Sequence, residues 1–339
     1  MILFSGIVAV LFFLGLGTSS AGFFGKDIVI VLKPFLAFGI MFHHLFRESV
    51  FLSQFERWGP LIVGIFFFIS GYGLMSSLKK KPAYLKNFFQ DKILLKLILP
   101  FMSAWLFDLV LNRKWQDYSF LSHITNPGGP FFFSNDWFIY VLVLCYFAFM
   151  LAGRLKRDNA RLAVLVAVPL LIVLVSIRMG FARNWWATPL AFSVGAAYCT
   201  YEPVIRSLVS CKRSFIVSTV MYICLFGILM ICSAMFKSNI STVLAYSLLP
   251  LLVVNLFIRI ALSRLSKNRI IIFLSGISFE IYLLHGILID FFRGTFYLSG
   301  IPLIAVVIAV TLISAVLFRL LSVLCRKGLA VLGSSTVVA

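Results

Sequence analysis

The sequence predicts an all-α protein, a polytopic bundle of about 10–11 transmembrane helices. Three observations carry that expectation. The 339 residues are 62% hydrophobic and only 12% charged, too apolar to cover a water-facing surface. Stretches of about 20 apolar residues, the length that crosses a hydrocarbon core, recur along the whole chain. The gaps between them alternate between densely and sparsely basic.

The apolar windows lie at 1–22, 28–46, 59–78, 93–112, 137–153, 160–177, 185–201, 214–235, 241–262, 270–292 and 301–324. No basic residues precede the apolar run of the first window. It therefore reads as a retained helix rather than a cleaved signal, although "TSSAG" would suit cleavage. The formal charge of +19 raises the question of nucleic acid. Running successive spans in alternating directions answers it. The stretches "KKKPAYLKNFFQDK", "RLKRDNAR", "RSLVSCKR", "RIALSRLSKNR" and "CRK" then share one side, and the other side keeps only 8 of the 30 lysines and arginines. Such an excess marks the cytoplasmic side, so the C-terminus is expected inside and the N-terminus outside. Membrane lipid, not nucleic acid, is the expected partner of this charge. The six cysteines are scattered, without ligand spacing, so neither a metal site nor a disulfide framework is expected. No internal repeat of the inverted-transporter type is visible. The longest gap, 113–136, holds Pro, Gly, aromatics and His123 and reads as a re-entrant or partly buried loop.

Polar residues inside the windows carry the chemistry. In "KPFLAFGIMFHHLF", Lys33 and His44 are eleven residues apart. That is three helical turns, so both share a face about 16 Å apart along the axis. Pro34 suits a first turn. Lys33 lies near the basic end, where its head can snorkel, and His44 lies deep. An ionisable group at that depth points to function; the plain alternative is a neutral imidazole satisfied by a neighbouring helix. In "ISFEIYLLHG", Ser278, Tyr282 and His285 follow an i, i+4, i+7 stripe, at a depth matching His44, while Glu280 points elsewhere. A polar stripe must face protein or a water-filled cavity, and a packing network between helices would also use it. Ser70-Gly71 in "FFFISGYG" reads as close helix packing. Lys92 and Lys96 share a face as they enter their span, where they suit phosphates as point charges, although topology and anionic lipid explain them too. Trp137 in "SNDWF" reads as an interfacial belt residue.

Together these pieces resemble the membrane acyltransferase 3 family, whose members acylate cell-surface glycans and related acceptors. Lys33 and His44 match its basic residue, ten residues and a histidine, with lysine where arginine is commoner. "FFFISGYG" looks like its Phe-Phe and Ser-Gly span. Lys92, Lys96 and Pro100 look like its basic pair before a proline, with one residue more between the two cations. "ISFEIYLLH" is similar to its late helix. Asn135 stands where many members carry a histidine two residues before the tryptophan. The resemblance makes 1–27 an added helix and loop, 28–325 the acyltransferase-like membrane domain and 326–339 a cytoplasmic tail.

The resemblance implies an enzyme of the bacterial inner membrane. Acetyl-CoA or another acyl-CoA would enter from the cytoplasm, and the acyl group, most simply acetyl, would pass to a hydroxyl of a cell-surface or lipid-linked polysaccharide. Lys33, Lys92 and Lys96 would meet the donor's phosphates. His44 would serve as general base, with His285, Tyr282 or Ser278 stabilising the oxyanion. An acyl-histidine intermediate fits the same residues. The rival reading is a transporter or flippase for a lipid-linked glycan or small polar solute, relaying protons through intramembrane His and Glu. A scaffold without chemistry is the third.

Overall fold

The computed structural model describes residues 2–16, 24–81, 83–113, 136–209, 211–258 and 263–335. Residues 114–135, with His123 and Asn135, lie outside the described residues, as do 18–22, "TSSAG". Every regular element among the described residues is helical. In chain order those of five or more residues are α1 (Ile2–Leu16), α2 (Lys26–His44), α3 (Gly59–Lys80), α4 (Phe89–Leu111), α5 (Trp137–Ala152), α6 (Asp158–Arg178) and α7 (Arg183–Ala187). There follow α8 (Leu190–Val209), α9 (Lys212–Phe236), α10 (Asn239–Phe257), α11 (Arg269–Gly276), α12 (Ser278–Thr295) and α13 (Gly300–Ser335). As far as the described residues reach, each apolar window falls on one of these helices or, at 185–201 and 270–292, on two.

Among the described residues, seven helices are long and apolar enough to cross a membrane alone: α2, α3, α4, α6, α9, α10 and α13. The protein is a multi-pass membrane protein. The window at 270–292 is not one straight span, because α11 and α12 meet at a bend of 61°. Ile277, with φ −107° and ψ 6°, leaves helical backbone directly after Gly276, a residue that ends helices at low steric cost. The last helix also runs on to Ser335, so most of the segment expected as a tail is helical. The first ten residues of α4, Phe89–Ile98, wind as a π-helix. Pro100 has no N–H to give the Lys96 carbonyl, which removes the bond that would hold this turn in α geometry.

Burial separates core from rim. The windows of α3 and α10 are 67% buried, whereas that of α9 is 11% buried and that of α13 22%. Yet α9 is more hydropathic than α3, at 2.5 against 1.9. Lipid, not protein, covers its apolar surface.

The tightest seam joins α3 to α8. A Cβ placed on Gly71 would lie 2.0 Å from the Phe192 carbonyl oxygen, and one on Gly195 would lie 2.1 Å from that of Phe68. Only hydrogen fits at these two positions, so the backbones touch, as small residues permit in membranes. This is what the Ser-Gly of "FFFISGYG" does. The seam sets α3 as a fixed wall, and α2 packs on α3 as well as on α11 and α12.

Candidate active site

Two helices bring the histidines together. His44 closes α2 and His285 lies midway along α12, with ring centroids 5.2 Å apart and planes tilted by 35°. His43 adds a third ring 4.9 Å from His44. The Nδ1 of His285 lies 3.1 Å from the Ile281 carbonyl of its own helix. A carbonyl only accepts, so Nδ1 carries the proton of the neutral ring and Nε2 keeps a bare lone pair. That Nε2 is buried with no hydrogen-bond partner among the described residues. His43 is held likewise, its Nδ1 donating to the Phe55 carbonyl at 3.0 Å. Beyond these rings, Glu48 ties the chain after α2 to the α12–α13 link. It accepts from Arg293 and from the Gly300 N–H, both at 2.7 Å.

Three cavities follow one another from the basic ends of the helices to these rings. The lysine cavity, about 430 Å³, is lined by Lys26, Lys33, Lys80, Lys92 and Lys96, with no carboxylate among its lining residues. Lys92 stands 5.4 Å over the ring of Tyr84. Burial raises the Tyr84 phenol above its usual range, so it stays neutral beneath that ammonium. The middle cavity, about 360 Å³, shares Lys33, Ser70, Lys96 and Tyr146 with the first and adds Arg319, Glu280, Ser278 and Tyr282. The histidine chamber, about 250 Å³, shares Tyr282 with the second and is lined by His43, His44 and Trp137. Tyr282 is therefore the partition between the middle cavity and the imidazoles. It packs 5.0 Å from Phe138 and 5.9 Å from His285.

The structure thus brings Lys33, Lys92 and Lys96 to one cavity and His44, His285 and Tyr282 to the other end, with Lys33 of the same helix as His44 in between. Ser278 sits in the middle cavity with its hydroxyl donating to the Ser275 carbonyl at 3.0 Å. Two expectations change. Glu280 does not point away. It lines the middle cavity and pairs with Arg319 at 3.4 Å, because α12 is enclosed by protein on every side over Glu280–Ile289 and has no outward face. Trp137 is not a belt residue. It is 8% exposed, lies 6.5 Å from Trp185 of α7 and walls the histidine chamber. Sequence reasoning missed Arg319, Thr188 and Asn184. Arg319 had a signal, an arginine inside an apolar window. The other two had none, since the α7–α8 corner brings them in.

These features define a membrane-embedded site with a cationic entrance and an imidazole end. The acyltransferase 3 family model, described as an acyltransferase domain, matches residues 26–320, and the chain belongs to that family. It is a membrane acyltransferase, with α1 ahead of the matched stretch. No curated protein and no solved structure gives a significant match.

Proposed function

We propose that the protein is an O-acyltransferase that takes an acyl group, acetyl in the simplest case, from acyl-CoA at the cytoplasmic face and passes it to a hydroxyl of a cell-surface or lipid-linked polysaccharide. The observation that carries this is the succession of cavities from five lysines to the imidazoles of His43 and His44. CoA is polyanionic at its nucleotide end and thin along its pantetheine arm. The lysine cavity suits the phosphates, and the middle cavity, with three cations against Glu280, keeps a positive field along the arm. The thioester carbonyl then comes to rest at Tyr282.

His44 takes the proton of the acceptor hydroxyl as its oxygen attacks the thioester carbon. The new C–O bond forms, the C–S bond breaks, and the proton passes from His44 to the departing thiolate, releasing CoA as the thiol. His285, its ring packed on that of His44 and its Nε2 without a hydrogen-bond partner among the described residues, is a second proton acceptor behind the first. Of the three candidates for the oxyanion, we assign Tyr282. Tyr282 alone of the three lines both the middle cavity and the chamber.

The test is His44→Ala in cells, reading acylation of surface glycan by mass spectrometry and protein in the membrane by immunoblot. Loss of acylation at normal protein level is expected. Acylation that persists at normal level removes His44 from the mechanism, and loss of the protein itself makes the imidazole a structural partner.

A further inference from the structure

The α7–α8 corner presents polar groups to the histidine chamber that the donor half of the reaction does not use. Thr188 lines the chamber and is 1% exposed, and its hydroxyl has no hydrogen-bond partner among the described residues. A threonine just ahead of a helix ordinarily caps it, its hydroxyl accepting an N–H of the first turn. Here the Ala191 N–H is taken at 3.0 Å by the Thr188 carbonyl instead, and Pro189 has no N–H to offer. The methyl branch lies toward Gly64 of α3, 3.8 Å from where a Cβ there would stand. A buried hydroxyl left unpaired is costly, and a bound polar molecule removes that cost. Asn184, one helical turn earlier on α7, lines the same chamber, and Trp137 closes it from α5.

A hydroxyl, a carboxamide and an indole around one small space match the surface of a sugar ring, which offers hydroxyl donors and acceptors at its edge and C–H groups on its face. We infer that Thr188 and Asn184, with Trp137 as platform, form the acceptor subsite and turn one sugar hydroxyl toward His44. The lysine-lined half binds the donor, so the two substrates meet at Tyr282 from opposite ends. This rests on the acyltransferase reading above.

The test uses the full chain in nanodiscs, with acetyl-CoA as donor and octyl β-glucoside as the acceptor probe, read as acetylated glucoside and free CoA. Thr188→Val keeps the side chain's shape and removes only the hydroxyl. It is expected to raise the KM for octyl glucoside about tenfold, the worth of one hydrogen bond, while the KM for acetyl-CoA moves far less. Thr188→Ser is expected to restore it, and Asn184→Ala to act in the same direction. Equal rises in both KM values, or an unchanged acceptor KM, overturn the subsite. So does an unmodified protein that hydrolyses acetyl-CoA yet never acetylates the glucoside. An unmodified protein that neither hydrolyses nor transfers overturns the acyltransferase reading itself, a result distinct from the others.

Discussion

The lysine cavity and the histidine chamber lie on one path but recognise in different ways. The first is larger, about 430 Å³ against 250 Å³, and is lined by five cations from three helices. Its lysines are long, flexible and interchangeable, so what it presents is a field rather than a shape. The second presents single groups, such as the His43 imidazole, held by the Phe55 carbonyl, and the Thr188 hydroxyl, which has no partner among the described residues. A field averages over its sources, whereas a geometry fails with any one of them. One site can therefore combine tolerant capture of a charged donor with strict placement of a neutral reaction.

The contrast is easiest to break at the chamber. His285→Ala is expected to lower kcat by about 10²–10⁴, the range of one positioned acid–base group, with donor KM little changed. Rates of acetyl-CoA hydrolysis and transfer by purified protein check this, and near-normal turnover would leave the chamber no more exacting than the lysine end. A middle effect is expected at the seam that fixes the common wall. Gly71→Val drives carbons into the Phe192 carbonyl and is expected to cost about 1–3 kcal/mol or more of stability. Gly73→Ala, on the same helix with nothing within 4 Å of the added carbon, is the matched control. Thermal unfolding in detergent compares the two, and equal midpoints would show that α3 is not held by that contact. The smallest effect is expected at the entrance. Lys92→Ala should raise the KM for acyl-CoA about two- to fivefold, since single solvated charge contacts are worth about 0.2–1 kcal/mol. The increase should shrink as salt is added, because exposed charges are screened. A hundredfold change from this one lysine would make the entrance a geometric site too.

Some of this was legible in the chain. The stripe of Tyr282 and His285, and the three-turn spacing of Lys33 and His44, are helical periodicity, and periodicity survives folding because the helix is a local structure. The helices themselves follow from apolar length for the same reason. What was missed shares a different property. Trp137 looked like a belt residue because its neighbours in sequence are interfacial, but α7 arrives to cover it. Glu280 lay off the stripe, yet a helix enclosed on all sides turns every face to protein. Arg319 could be flagged as an ion in an apolar window, but nothing in the chain named Glu280, 39 residues away, as its partner.

By itself, then, the sequence determined the class of fold and which residues share a helical face. Both rest on interactions within about one span: apolar transfer into lipid, backbone hydrogen bonding and the 3.6-residue turn. The tertiary structure alone decided that His44 meets His285, that Tyr282 stands between the lysines and the imidazoles, and that Thr188 turns to the chamber. Those outcomes depend on where α2 and α8 settle against α3, and where α12 settles against α2. In a membrane, where all the helices are apolar, that is set by contacts as small as a glycine against a carbonyl.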